Sequence, residues 1–181
     1  DRGLSVSIGL NSGSCDRDSL DSMISSTDIL FCNWQEFSSL VQLQVHESQE
    51  LIDALLASRF QNCIVTLGGY GAFIKLKDFG CYKPASPSRK AVNTLGAGDV
   101  LSAVMISALL SKYHTTYALK LATFAASESV KATTWDEWAK NIHSLADLIY
   151  RYEADGLVPM TRHYSENVIA GVQPWPELLP F

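Results

Sequence analysis

Two short apolar runs, Asp28–Cys32 (DILFC) and Cys63–Leu67 (CIVTL), set the terms for any fold of this chain. Each is about strand length, and the second is rich in β-branched residues. Uninterrupted apolar runs of this size suit strands buried on both faces, as in a parallel sheet. Helical signals lie between them. Asn33 can cap a helix from Trp34 to about Val45, and Leu51, Ile52, Leu55 and Leu56 recur at helical spacing within Ser48–Phe60. Leu4–Leu10 alternates as a strand, and Asp18–Ser25 reads as a short amphipathic helix. Gly68–Gly71 reads as a turn. Ala72–Lys77 and Cys81–Lys83 read as strands joined through Asp78-Phe79-Gly80, with a Pro/Ser loop over Pro84–Lys90. Three helices are expected over Asp99–Ser111, Thr116–Lys131 and Trp135–Tyr152. Strands alternating with helices indicate an α/β layered domain with a mainly parallel sheet. Residues 1–154 carry this pattern. Residues 155–181 hold four of the six prolines and little periodicity, and read as an irregular tail.

Composition narrows the function. The chain has 181 residues, 47% of them hydrophobic and 18% charged, which excludes a mainly disordered polymer. The net charge is −5 and both halves are acidic, so the basic footprint of a nucleic-acid binder is missing. No Lys/Arg cluster suits an anionic lipid surface. The longest apolar run, near Val100–Leu110, is well short of the roughly 20 residues of a membrane helix. Cys15, Cys32, Cys63 and Cys81 have no C-x-x-C spacing and no His at zinc-ligand spacing. They read as buried free thiols of a reducing, cytoplasmic compartment, with an extracellular disulfide pair as the alternative. His46, His114, His143 and His163 have no catalytic company. Tyr164, Trp175 and Phe181 in the tail suit an interface or ordinary packing.

The segment richest in chemistry is Asn93-Thr94-Leu95-Gly96-Ala97-Gly98-Asp99, which opens an apolar helix. Two glycines and an alanine permit a tight turn and close approach by a ligand. Unpaired N–H groups and the helix dipole favour an anion there. A carboxylate at the same end can take a proton from a hydroxyl while N–H groups hold a phosphate. By itself, the same segment reads equally as a capped helix behind a glycine turn. Asn33 with Glu36 likewise reads as a capping box.

Four motifs in order change that balance. The chain resembles the ribokinase-like (PfkB) family of carbohydrate and nucleoside kinases. Its T-G-A-G-D signature appears as Leu95-Gly96-Ala97-Gly98-Asp99, and its N-x-x-E motif as Asn33-Trp34-Gln35-Glu36. Its T-x-G-x-x-G strand end appears as Thr66-Leu67-Gly68-Gly69-Tyr70-Gly71, and its Ala-rich helix ending S-V as Ala125-Ala126-Ser127-Glu128-Ser129-Val130. The resemblance covers Leu4 to about Val130.

It implies the ribokinase-like α/β/α fold, without the N-terminal part and lid, and ATP-dependent phosphoryl transfer to a sugar or nucleoside. Asp99 would be the base, and the N–H groups of Gly96, Ala97 and Gly98 the anion hole for the γ-phosphate. Glu36 would orient Mg²⁺ through water. Asn33, Thr66, Gly68 and Gly71 would lie along the nucleotide, and the helix carrying Thr123 and Ala126 would wall the adenine pocket.

Three departures stand out. Asn93 replaces the family's usual Asp, Leu95 replaces its Thr, and Lys131–Thr134 lacks its Gly-containing loop. The first and last bear on a monovalent-cation site, so K⁺ activation is in doubt. No sugar-binding Gly-Gly motif or lid strands occur, and the chain starts Asp-Arg-Gly. The expectation is a C-terminal portion that docks to an N-terminal portion or forms a homodimer. The alternative is a non-catalytic binding or scaffold protein lacking the acceptor site.

Overall fold

The computed structural model describes residues 7–9, 22, 25–42, 48–76, 79–84, 91–140 and 142–154. These residues form two compact units. One contains the sheet, with residues up to Gly68 and Ala72–Tyr82. The other takes in Gly69–Gly71 and the helices that follow Lys83.

The sheet has five strands in sequence order: β1 (Ser7–Gly9), β2 (Ile29–Asn33), β3 (Asn62–Thr66), β4 (Gly71–Leu76) and β5 (Phe79–Pro84). β1, β2 and β3 run parallel, and β4 returns antiparallel to β3. The parallel part is β1–β3, of which the two apolar runs encode β2 and β3. β5 starts at Phe79, a residue the sequence assigns to the connecting turn.

Two helices fill the crossover, α1 (Trp34–Val41) and α2 (Ser48–Ala57). Phe37, Leu51 and Leu55 pack with Leu30, Cys32, Cys63 and Val65 in one buried cluster. Phe31, Ile64 and Ile74 alternate with these and are also buried, as in strands covered on both faces. Helix α1 stops earlier than the expected Val45, because Gln42 turns left-handed at φ 55° and its N–H closes on Ser38 and Ser39 carbonyls.

The second unit is helical. α3 (Ala97–Leu110) and α4 (Thr115–Ser129) agree with expectation to within two residues. His114 turns out to be the N-cap of α4. The single helix expected over Trp135–Tyr152 is instead two: α5 (Trp135–Ala139) and α6 (Leu145–Ala154). Ser144 accepts from the Asp147 N–H at 3.2 Å, and the Asp147 carboxylate accepts from the His143 N–H at 3.1 Å. This side-chain cap starts a new helix where apolar spacing alone continues the old one. Val100, Tyr117, Leu121, Phe124, Ala125 and Leu148 form the core of this unit. Among the described residues no helix is long and apolar enough to cross a membrane. The expected helix 18–25 lies mostly outside the described residues, as do the loop after Pro84 and the tail 155–181.

Candidate functional site

Two places carry the candidate residues. The first is the carboxyl end of the parallel strands, where open α/β sheets bind ligands. Asn33 ends β2 directly beside Thr66, the end of β3. The Asn33 side chain accepts from the Glu36 N–H at 2.8 Å, and the Asn33 N–H donates to Glu36 Oε2 at 2.8 Å. The capping box is thus real, and it fixes a half-buried carboxylate at the mouth of the sheet. The chain leaves β3 through an exposed turn in which Gly68 takes φ 59°, a conformation that penalises any side chain. A Cβ at Gly68 would otherwise meet open space. Gly71, also at positive φ, is buried at the start of β4.

Under this mouth lie Cys32 and Cys63, both free and buried, with their sulfurs 4.0 Å apart. The hydrogen bond to Cys63, then burial, holds the Cys32 thiol well above its ordinary range. A neutral buried thiol of this kind is inert, as the sequence suggests. Cys15 and the side chain of Cys81 lie outside the described residues.

The second place is the entrance to α3. Gly96 is its N-cap at φ 78°, with no side chain to close the helix end. The Ala97 N–H turns back to the Thr94 carbonyl at 3.3 Å, and the first i→i−4 bond runs from Val100 to Gly96 at 3.0 Å. The Gly98 and Asp99 amides fall between these bonds, among the donors that a helix start leaves over. Both residues are exposed, and a Cβ at Gly98 would meet nothing within 4 Å. Asp99 therefore stands on the first turn of a helix whose entrance a ligand can approach at backbone distance. Of the three amides expected to form an anion hole, Ala97 is shared with Thr94.

The loop before this entrance is strapped to the end of α4. The Val92 and Asn93 N–H groups both donate to the Val130 carbonyl, at 2.7 and 3.1 Å. Asn93 Nδ2 donates to the Thr133 carbonyl at 3.2 Å, and Asn93 Oδ1 accepts from the Leu95 N–H at 3.0 Å. No local pattern announces this contact, since 40 positions separate its partners. Further back on α4, Thr123 is buried and its hydroxyl donates to the Leu119 and Lys120 carbonyls, both at 2.9 Å. Ala126 is half-buried.

The site segments described above all fall within the range of a family model. The model for pfkB family carbohydrate kinases matches residues 9–136. The chain belongs to this family. A nucleoside kinase of Methanocaldococcus jannaschii is 30% identical to this pfkB-family chain over 125 residues, 64% of the chain and 39% of the relative. The solved nucleoside kinase of the same organism, an archaeal member of the ribokinase family, superposes with a TM-score of 0.62 at 26% identity. That match covers 83% of this chain and 48% of the other. Arabidopsis thaliana ribokinase, complexed with ribose and ATP, superposes with a TM-score of 0.66 at 24% identity, covering 73% and 43%. The pfkB-family chain thus has the ribokinase-like α/β fold and spans less than half the length of these relatives.

Proposed function

We propose that the complete protein transfers the γ-phosphoryl group of ATP to a hydroxyl of a sugar or nucleoside. The observation that carries this reading is Asp99, an exposed carboxylate on the first turn of a helix entered through a left-handed glycine, in a chain of the pfkB family. Asp99 accepts the proton of the acceptor hydroxyl as that oxygen attacks the γ-phosphorus. The bond from the γ-phosphorus to the bridging oxygen breaks, and ADP leaves. Leftover amides at the α3 entrance hold the negative charge of the transferring group. ATP is the donor that fits such a cradle, and the Arabidopsis relative is a ribokinase complexed with it.

Magnesium enters this reading in one form only. Among the described residues no three His, Cys, Asp or Glu side chains gather into a metal cage. An ion that arrives on the nucleotide phosphates keeps several waters and needs few carboxylates. Glu36 suits that role: the Asn33 N–H fixes one of its oxygens, which leaves a second oxygen of the group to orient water. The ion supplies charge neutralisation of the phosphates when bound. Asn33, Thr66, Gly68 and Gly71 line the nucleotide in this reading, with α4 at Thr123 and Ala126 beside the base.

The test is Asp99→Asn in the complete protein. Loss of a general base lowers turnover by about 10²–10⁴-fold, while ATP affinity is retained. Turnover equal to that of the unmodified protein would sink the assignment.

A further inference from the structure

The contacts of Asn93 bear on the monovalent cation that the family resemblance raises. Its side chain touches two backbone groups of opposite kind. The Leu95 N–H only donates, and the Thr133 carbonyl only accepts. An amide satisfies both at once, and these two partners also settle which end is oxygen and which is nitrogen. A carboxylate here could keep the Leu95 contact. It would then turn its second oxygen toward the Thr133 carbonyl oxygen, where the amide nitrogen now sits at 3.2 Å. Two acceptors at that separation repel unless a cation lies between them.

The neighbouring carbonyl is also taken. Val130 receives both the Val92 and Asn93 N–H groups. The Val130 and Thr133 carbonyls, which meet the loop from the end of α4 and its following turn, are thus both engaged by N–H donors. A cation needs converging oxygens with lone pairs to give, and the donor set at Asn93 does not fit one.

We propose that the Asn93 amide ties the phosphate loop to the turn at Thr133 in place of a monovalent cation, so that Gly96–Asp99 is held in its working form without K⁺ or Na⁺. Asn93 is a positioning residue in this scheme. The bridge stands on contacts within the chain, and its catalytic meaning rests on the kinase reading above.

Thermal unfolding of the complete protein is compared in potassium, sodium and tetramethylammonium chloride at equal ionic strength. ATP affinity is measured by calorimetry in the same salts. The expected result is one Tm and one affinity throughout. A potassium-specific rise in Tm, or ATP binding about tenfold tighter in potassium, overturns the proposal. Asn93→Asp should lose stability in tetramethylammonium and recover it with K⁺ or Na⁺. A folded Asn93→Asp protein indifferent to the cation also overturns the proposal. If that variant does not fold, the measurements on the unmodified protein decide alone. A salt-insensitive Tm without any ATP binding supports the amide bridge and counts against the kinase reading.

Discussion

Lys75 lies within β4 at only 6% exposure, paired in register with Cys63. Its ammonium has three donors, and they go to the carbonyls of Leu55, Leu56 and Ser58 at 3.0, 2.9 and 2.9 Å. Those carbonyls close the end of α2, where backbone acceptors run out of partners and the dipole is negative. The charge is thus matched by a helix terminus. Lys75→Met keeps the stem and takes the ammonium from all three carbonyls. Leu55 still accepts from the Ser58 N–H and hydroxyl, while Leu56 and Ser58 each lose a donor, at a cost of about 2 kcal/mol. Urea unfolding should show a lower midpoint with an unchanged slope. An unshifted midpoint would show that water replaces the ammonium at no cost. Nothing in the sequence marks Lys75 for this role, because the helix end it serves is built 17 to 20 positions earlier. The Asn33–Glu36 box, by contrast, is legible because both partners sit within one turn.

Elements show the same division between local and distant causes. β2, β3, α3 and α4 fall where apolar runs and periodicity place them, since burial of those side chains is what forms them. The break between α5 and α6 is harder to read. Ile142, Leu145, Leu148 and Ile149 keep helical spacing across it, and all four join the same core. Only the polar caps mark it. Thr134 caps α5 by accepting from the Glu137 N–H at 3.2 Å. Glu137 Oε2 in turn accepts from the Thr133 N–H at 2.8 Å. That backbone hydrogen bond, the largest cause, holds the Glu137 carboxyl below its ordinary value. A group depressed in the folded state contributes stability that is complete above its unfolded pKa and lost as pH falls through the folded one. The turn at Thr133 should therefore loosen only on the acid side of the ordinary glutamate range. A carboxyl-carbon NMR titration should place the Glu137 midpoint below that range, and Glu137→Gln should remove the acid-side dependence of the Thr133 amide shift. A midpoint at or above the ordinary value contradicts the cap geometry.

At the scale of the whole molecule, the chain has the ribokinase-like fold, belongs to the pfkB family and spans less than half the length of the relatives compared above, so phosphoryl transfer stands as a proposal. The complete protein's binding capacity separates a kinase from a protein that kept the fold without the transfer. A ligand that binds only the folded state adds stability by mass action, about 2.7 kcal/mol at a hundredfold excess over its Kd. In a protein of the relatives' length, well beyond that of this chain, it corresponds to a Tm rise of roughly 3–5 °C. ATP with Mg²⁺ should produce such a rise in the complete protein. Asp99→Asn should show the same rise, because Asp99 acts on the acceptor hydroxyl and not on the nucleotide. The pairing makes the result diagnostic. A rise in both proteins with turnover in only one assigns Asp99 to proton transfer. A rise lost in the variant assigns Asp99 to nucleotide binding instead. No rise in either protein favours the scaffold, in which the open α3 entrance and its strapped loop persist as parts of the fold alone.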